Sequence, residues 1–247
     1  MEIFGVDIGG SGIKGAPVDL DRGVLAEERY KVLTPQPSEP EAVVDAVRQV
    51  VDKFQWKGPI GITFPGVVVD GRTLTAANVD QGWIGQDARA LFAAATGCKT
   101  AVVNDADAAG IAEVAFGAAR GRKGVVLLLT LGTGIGSALF TDGVLVPNTE
   151  LGHLELHGKD AEKHASSGAR ERHEWSWKHW AEHLDDYFGM VDALFSPQLI
   201  VVGGGVSRKH DKFLPLLKPL RAEIVPAELQ NDAGIVGAAM AARSLAL

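Results

Sequence analysis

The chain contains one glycine-rich turn written twice, and this repeat constrains the fold more than any other feature. The first copy runs Val6-Asp7-Ile8-Gly9-Gly10-Ser11-Gly12-Ile13-Lys14-Gly15, the second Leu129-Thr130-Leu131-Gly132-Thr133-Gly134-Ile135-Gly136-Ser137. Each follows an apolar run, residues 3–6 and 125–129. Aligned, Asp7 meets Thr130 and Gly9 meets Gly132. A strand that breaks into a Gly-Ser/Thr turn and resumes as a strand brings bare backbone amides up to an anion. Two copies read as two facing half-sites, a clamp for a phosphate chain. A plain hairpin would use such residues only to turn, and it has no need to recur with matching glycines.

The segments around each copy repeat as well. Residues 3–7, 12–19 and 24–32 read as strands between Gly and Asp turns, and the three prolines of residues 34–40 make a loop. Val43, Val44, Val47, Val50, Val51 and Phe54 recur at helical spacing in residues 41–54. A strand over 59–64, a helix over 88–96 stopped by Gly97, a strand over 100–103 and an alanine-rich helix over 106–116 follow. After the second hairpin, residues 158–180 are the least regular. A helix over 181–195, a strand over 199–202 and a helix from about Lys209 come next. A last Ala/Gly-rich helix spans 232–245, capped by Asn231 or Asp232. Strands, then helices, then the same order again indicate an α/β chain of two lobes with related cores and a cleft facing both hairpins. The expected lobes are a small N-terminal one over residues 1–107, to which the helix of about 231–247 returns, and a larger one over 108–230.

Composition narrows the partners. With 247 residues the chain has room for one large or two small domains. A formal net charge of -7 leaves no global basic field for nucleic acid, so a polyanion site must be a local patch. A single cysteine, Cys98, excludes an internal disulfide and a thiolate metal cluster. The start, Met1-Glu2-Ile3-Phe4, lacks the basic region and apolar stretch of a signal peptide. No apolar run approaches the roughly 18 residues of a membrane span. A cytoplasmic protein without a membrane partner is expected.

Several residues carry phosphate and sugar chemistry. Asp7 ends a strand in the first hairpin, where a carboxylate suits magnesium or its waters against phosphate oxygens. Lys14, seven residues on, would neutralise phosphate charge. Gly203-Gly204-Gly205 after an apolar strand suits close approach of a flat or anionic group, and serves equally as a tight strand-to-helix turn. The dinucleotide fingerprint and the Walker pattern are both absent. Asn104-Asp105 at a strand end offers a general base for phosphoryl transfer to a hydroxyl, although Asp105 or Asp107 would also serve as a helix cap. Glu150 and His153 flank Gly152 and suit adjacent sugar hydroxyls. His153, His157, His164 and His173 match no compact zinc spacing, so zinc is not expected. Arg170, Arg172, Lys178 and His179 interleave with Trp175, Trp177 and Trp180. They form either an anion-binding surface or a solvated helix whose tryptophans pack on the core or a partner subunit.

These residues together resemble a ROK-type sugar kinase of the actin-like ATPase superfamily, nearly end to end. Asp7 to Lys14, with Gly9, Gly10, Ser11 and Gly12, resembles the family's first phosphate motif. Thr130 and Leu131-Gly132-Thr133-Gly134-Ile135-Gly136 resemble the second, and Val202-Gly203-Gly204-Gly205-Val206 the adenosine motif. Phe64-Pro65-Gly66, Asn78 with Trp83, Asn104-Asp105 and Glu150-Leu151-Gly152-His153 resemble the sugar-binding elements. The resemblance implies the duplicated, ribonuclease H-like two-lobe fold. It also implies Asp105 as catalytic base, sugar contacts from Gly66, Asn78, Asn104, Asp105, Glu150 and His153, a magnesium ion at Asp7, and a homodimer. The family's cysteine cluster after Gly-His is missing, so the sugar-binding glutamate that follows it is not fixed by the motif; Glu155 is assigned to it. An N-terminal helix-turn-helix is missing too. These features, with Asn104 to Gly110 and the Trp-rich segment, resemble the actinobacterial members that phosphorylate glucose from inorganic polyphosphate, often also from ATP. A polyphosphate chain needs cations leading to the site; Lys14, Arg120, Arg122, Lys123, Arg170, Arg172, Lys178, Arg208 and Lys209 are candidates. The alternatives are a strictly ATP-dependent hexose or N-acetylhexosamine kinase, and a non-catalytic sugar-sensing regulator.

Overall fold

Asp7 and Lys14 stand opposite each other in the first hairpin, where strand β1 (Glu2–Gly9) pairs antiparallel with β2 (Gly12–Asp19) and closes at Gly9 against Gly12. The structure, a computed structural model, describes residues 1–76 and 79–246. Along the chain follow β3 (Val24–Leu25), β4 (Tyr30–Val32), helix α1 (Pro40–Lys53) and β5 (Ile60–Phe64). Next come the short pair β6 (Val68–Val69) and β7 (Arg72–Thr73), then α2 (Ala88–Thr96), β8 (Thr100–Asn104) and α3 (Asp105–Phe116). The second hairpin is β9 (Val125–Leu131) with β10 (Ile135–Thr141), followed by β11 (Val144–Val146) and the small pair β12 (Glu155–Leu156) and β13 (Lys159–Asp160). The chain ends through α4 (Glu162–Ala165), α5 (Ser167–Arg172), α6 (Trp177–Phe195), β14 (Leu199–Gly203), β15 (Glu223–Pro226) and α7 (Ala233–Ala241).

Two compact units result: Met1–Ala112 with Asp232–Leu247, and Glu113–Asn231. The first holds a sheet in the order β3-β2-β1-β5-β8, with β4 also on β2. The second holds a sheet in the order β11-β10-β9-β14-β15. In each, the glycine-rich hairpin is continued on one side by two parallel strands. Parallel strands are covered on both faces and so read as unbroken apolar runs rather than alternating ones. Ile60–Phe64 and Leu199–Gly203 do so, and every residue of both is buried.

Local signals set the helices. Pro40 opens α1, Glu41 sits in its first turn, and Val43, Val47 and Val50 are fully buried. Each such valine contributes on the order of 1.5–3 kcal/mol. Asp87 accepts the Ala90 N–H at the start of α2, and Gly97, at φ 69°, ends it. Helix α7 lies on the first sheet through glycines: a methyl group at Gly5 would overlap the Ile235 carbonyl, one at Gly61 the Ala238 carbonyl, and one at Gly237 the Ala108 carbonyl.

The structure departs from the sequence reading at several ends. Helix α6 begins at Trp177, because the Ser176 hydroxyl accepts the His179 N–H and caps it. Residues 205–212 form a 3-10 turn kinked at Lys209 rather than a helix from there. The expected strand over 24–32 is two short pieces. The final helix stops at Ala241, and Asp232 makes no side-chain cap because its carboxylate pairs with Arg29. Among the described residues no helix is long and apolar enough to cross a membrane.

Candidate active site

In the first unit the C-terminal ends of three parallel strands bring the sequence-marked residues to one edge, the usual place for a ligand in such sheets. β1 delivers Asp7 beside Thr63 of β5, since Val6 registers with Ile62. The Asp7 carboxylate accepts the Thr63 hydroxyl at 2.9 Å, and Thr63 in turn accepts the Ile8 N–H at 2.9 Å. The other carboxylate oxygen of Asp7 pairs with Lys14 Nζ at 2.9 Å. Gly234 of α7 leaves no room for a side chain, as its Cβ would lie 2.8 Å from Asp7 Cγ. Thr63, fully buried, is thus a site residue that the sequence did not mark; a threonine in an apolar strand carries no signal of its partner.

β5 and β8 end in register at Phe64 and Asn104. Asn104 donates to the Gly66 carbonyl at 3.1 Å and accepts the N–H groups of Ala106 and Asp107 at 2.9 and 3.0 Å. Asn104 therefore does the capping that the sequence reading offered to Asp105 or Asp107. The half-buried Asp105 carboxylate stands in the first turn of α3 and accepts the Ala106 N–H at 2.8 Å. Gly66 is closed against Thr75, whose carbonyl would be 2.7 Å from a Cβ. Asn78 lies outside the described residues.

In the second unit, β14 runs beside β9 so that Gly203 registers with Thr130. Gly204 has φ +80° and abuts the Leu131 backbone, with the carbonyl oxygen 2.6 Å from a Cβ position, so only glycine fits there. The turn of the second hairpin is braced by the start of α5: the Gly168 N–H and the Ser167 hydroxyl both donate to the Gly132 carbonyl, at 2.9 and 3.1 Å. Gly10, Gly132 and Gly205 share a different property. A Cβ on any of them would meet nothing within 4 Å, and none has a positive φ. Neither packing nor backbone strain within the described chain calls for glycine at these three motif positions. Ser11 is exposed beside Gly10, Gly12 is buried, and Gly9 closes the turn. Thr133 and Gly134 complete the second turn, with Gly134 against Glu162.

Glu150 and His153 are held next to this hairpin. The Ser137 hydroxyl accepts the Leu151 N–H at 3.0 Å, and Gly152 sits against the Ile135 carbonyl. His153 Nε2 lies 3.8 Å from a Glu150 carboxylate oxygen, and His153 Nδ1 lies 3.3 Å from Asp160. Burial pushes the Glu150 carboxyl above its ordinary pKa; the His153 imidazole opposes that and the Glu162 carboxylate adds to it. Glu162 also accepts the Ile135 N–H at 3.3 Å. It therefore joins Glu150 and His153, whereas Glu155 is exposed on β12 opposite Asp160. Glu162 was hidden in the sequence because it lies inside the irregular stretch and reaches the hairpin only through the β12–β13 pair and α4. One nitrogen of His153 and oxygens of Asp160 and Glu162 come within 4.8 Å of one another, a donor set of one imidazole and two carboxylates without a thiolate. Cys98 is buried in the core of the first unit.

The tryptophan segment divides. Trp180 is core, with its indole N–H on the Ala165 carbonyl at 3.1 Å. Trp177 stacks on Phe213 and carries the Arg170 guanidinium 3.8 Å above its ring. Trp175 is sandwiched between His173 and His183.

Comparison with known proteins identifies the family and the fold. The model of the ROK family matches residues 3–171. Polyphosphate glucokinase of Mycobacterium tuberculosis (strain ATCC 25618 / H37Rv) is 52% identical over 239 residues, 96% of this chain and 90% of that protein. The crystal structure of inorganic polyphosphate/ATP-glucomannokinase from Arthrobacter sp. strain KM superposes with a TM-score of 0.94 at 52% identity, covering 97% of each chain. A ROK family glucokinase from Streptomyces griseus, in complex with glucose and AMPPNP, superposes at 0.84 with 26% identity, covering 99% of this chain and all of that one. The architecture is that of the actin-like ATPases. With the family model over more than half of its length and relatives at 52% identity over nearly all of it, the chain belongs to the ROK family.

Proposed function

We propose that this protein transfers the terminal phosphoryl group of inorganic polyphosphate, and of ATP, to the 6-hydroxyl of glucose. The observation that carries the donor side is the set of three turn glycines, Gly10, Gly132 and Gly205, whose missing side chains leave open space. A phosphate chain drawn up to those amides is what excludes a side chain there. The names of the relatives, polyphosphate glucokinase and polyphosphate/ATP-glucomannokinase, support the same pair of substrates.

In this reading Asp105 accepts the 6-hydroxyl proton as the sugar oxygen bonds to the terminal phosphorus. The bond from that phosphorus to the donor chain breaks, and the donor leaves one phosphate shorter. Gly66, Asn78, Asn104, Glu150 and His153 are the contacts assigned to the remaining hydroxyls. Asp7 fits a magnesium ion: it is a hard oxygen donor with fixed geometry, and magnesium is commonly held by one carboxylate, waters and substrate phosphates. Magnesium at that place supplies charge neutralisation of the phosphate oxygens. Lys14 adds a second positive charge, and the amides of the glycine-rich turns are the groups assigned to the phosphates. A homodimer in the cytoplasm belongs to the same proposal; the buried free thiol of Cys98 suits a reducing compartment.

Glu162 supplies the carboxylate that the missing cysteine cluster leaves unplaced in the sequence. Glu162→Gln is expected to raise the KM for glucose about 10-fold or more, since a hydrogen bond to a charged group contributes about 1.5–3 kcal/mol. Glu155→Gln is expected to change it less than about 2-fold. Steady-state kinetics at saturating donor checks both, and the reverse ranking would return the role to Glu155.

The test of the function is product formation from glucose and magnesium with either long-chain polyphosphate or ATP, read as glucose 6-phosphate. Transfer from both donors is expected. Transfer from ATP alone would make this an ordinary ATP-dependent sugar kinase. Glucose binding without transfer from any donor would make it a sugar-sensing protein.

A further inference from the structure

We propose that Asp160 is a positioning residue that keeps His153 open to the sugar. The inference rests on the reading of Glu150 and His153 as sugar-hydroxyl acceptors. An imidazole has two distinct nitrogens, and the hydrogen bond made by one decides what the other offers. Here Nδ1 faces the Asp160 carboxylate at 3.3 Å, and Nε2 faces the Glu150 carboxylate at 3.8 Å. A carboxylate only accepts, so Asp160 draws the ring proton of neutral His153 to Nδ1 and leaves Nε2 a bare acceptor.

The alternative tautomer would undo the site. With the proton on Nε2, His153 would donate to Glu150 across a gap that needs to shrink by less than 1 Å to become a hydrogen bond. The two groups would then satisfy each other, and a sugar would have to break that bond to enter. With the proton on Nδ1, the Glu150 oxygens and the Nε2 lone pair both remain acceptors, and each can accept a hydrogen bond from one hydroxyl.

The fold places Asp160 for this task. It closes the β12–β13 pair, in register with Glu155, while Leu156 of the same pair is buried. The Ala161 N–H donates to the Leu154 carbonyl at 2.8 Å, which ties the residue after Asp160 to the residue after His153. Asp160 itself is half-exposed and outside the core, so its loss leaves the packing of the unit intact.

The experiment compares wild type with Asp160→Ala and Asp160→Asn. The readouts are nitrogen-15 NMR of the imidazole under alkaline conditions, the dissociation constant for glucose, and kcat. Wild-type His153 is expected to carry its proton on Nδ1. Asp160→Ala is expected to move it to Nε2 and to weaken glucose binding by about 10-fold, the upper part of what one net hydrogen bond contributes. Asp160→Asn retains an acceptor and is expected to restore the wild-type tautomer and most of the affinity. kcat at saturating glucose stays within about 2-fold, because the reacting hydroxyl is not involved. In a His153→Ala background, Asp160→Ala should have no further effect on affinity. An Nε2 proton in the wild type, or an unchanged tautomer and glucose affinity in Asp160→Ala, would overturn the proposal. A tautomer shift without any glucose binding by the wild type would retire the sugar reading and leave the histidine geometry standing.

Discussion

Asp105→Asn is expected to lower kcat by about 10²–10⁴-fold with either phosphoryl donor, the span that general base catalysis contributes, while the glucose dissociation constant shifts only slightly. In free energy that is about 3–5.5 kcal/mol of transition-state stabilisation. The substitution is selective because of how the residue is held. Asn104, not Asp105, caps α3 and ties it to Gly66, so the backbone stays in place when Asp105 changes. The Asp105 side chain accepts the Ala106 N–H through an oxygen that asparagine retains. What disappears is the ability to take a proton. Steady-state kinetics with polyphosphate and with ATP, together with equilibrium glucose binding, separate the two effects. Turnover near the wild-type level would remove Asp105 from the mechanism.

Gly61→Ala is expected to destabilise the protein by about 3 kcal/mol or more, the upper part of the range for overpacking a closed interior. For a chain of this size that lowers the Tm by roughly 6–12 °C. The added methyl would run into the Ala238 carbonyl, and it meets backbone on a helix lying against a fully buried strand, so no side-chain rotation relieves it. Gly10→Ala is the control: nothing lies within 4 Å of its Cβ, and its Tm should stay within about 1 °C while the KM for the phosphoryl donor rises. Thermal melts of the two variants side by side check the contrast. A stable Gly61→Ala protein would mean that α7 is free to lift from the sheet.

The two glycines also show what could be read in advance. Gly10, Gly132 and Gly205 sit in local motifs, and their chemistry belongs to a run of a few residues, so the sequence marks them directly. Gly5, Gly61 and Gly237 carry no motif. Their reason is a helix more than a hundred residues away from two of them, and nothing in the neighbouring sequence records it. The same division runs through the candidate site. Asp7 lies two residues before the end of β1, Asn104 ends β8, Asp105 opens α3, and Glu150 and His153 bracket a short turn, so apolar runs and glycines mark their positions. Thr63 supports Asp7 from an adjacent strand, and Glu162 reaches Glu150 and the second hairpin from another helix. Both depend on pairing between segments, which residue type does not encode. The fate of the tryptophans was equally open: whether Trp180 is core and Trp177 a platform for Arg170 depends on how α6 is rotated, and that is set by what it packs against.

From sequence alone came the duplicated hairpin, the alternation of strands and helices that makes both sheets, and the residues whose chemistry is local, because hydrophobic period and turn glycines act over a few positions. Tertiary structure alone decided that Thr63 and Lys14 share the Asp7 carboxylate, and that Glu162 and Asp160 stand with Glu150 and His153. Each of these contacts joins side chains brought together by strand register and helix packing, which are properties of the whole sheet rather than of any segment of it.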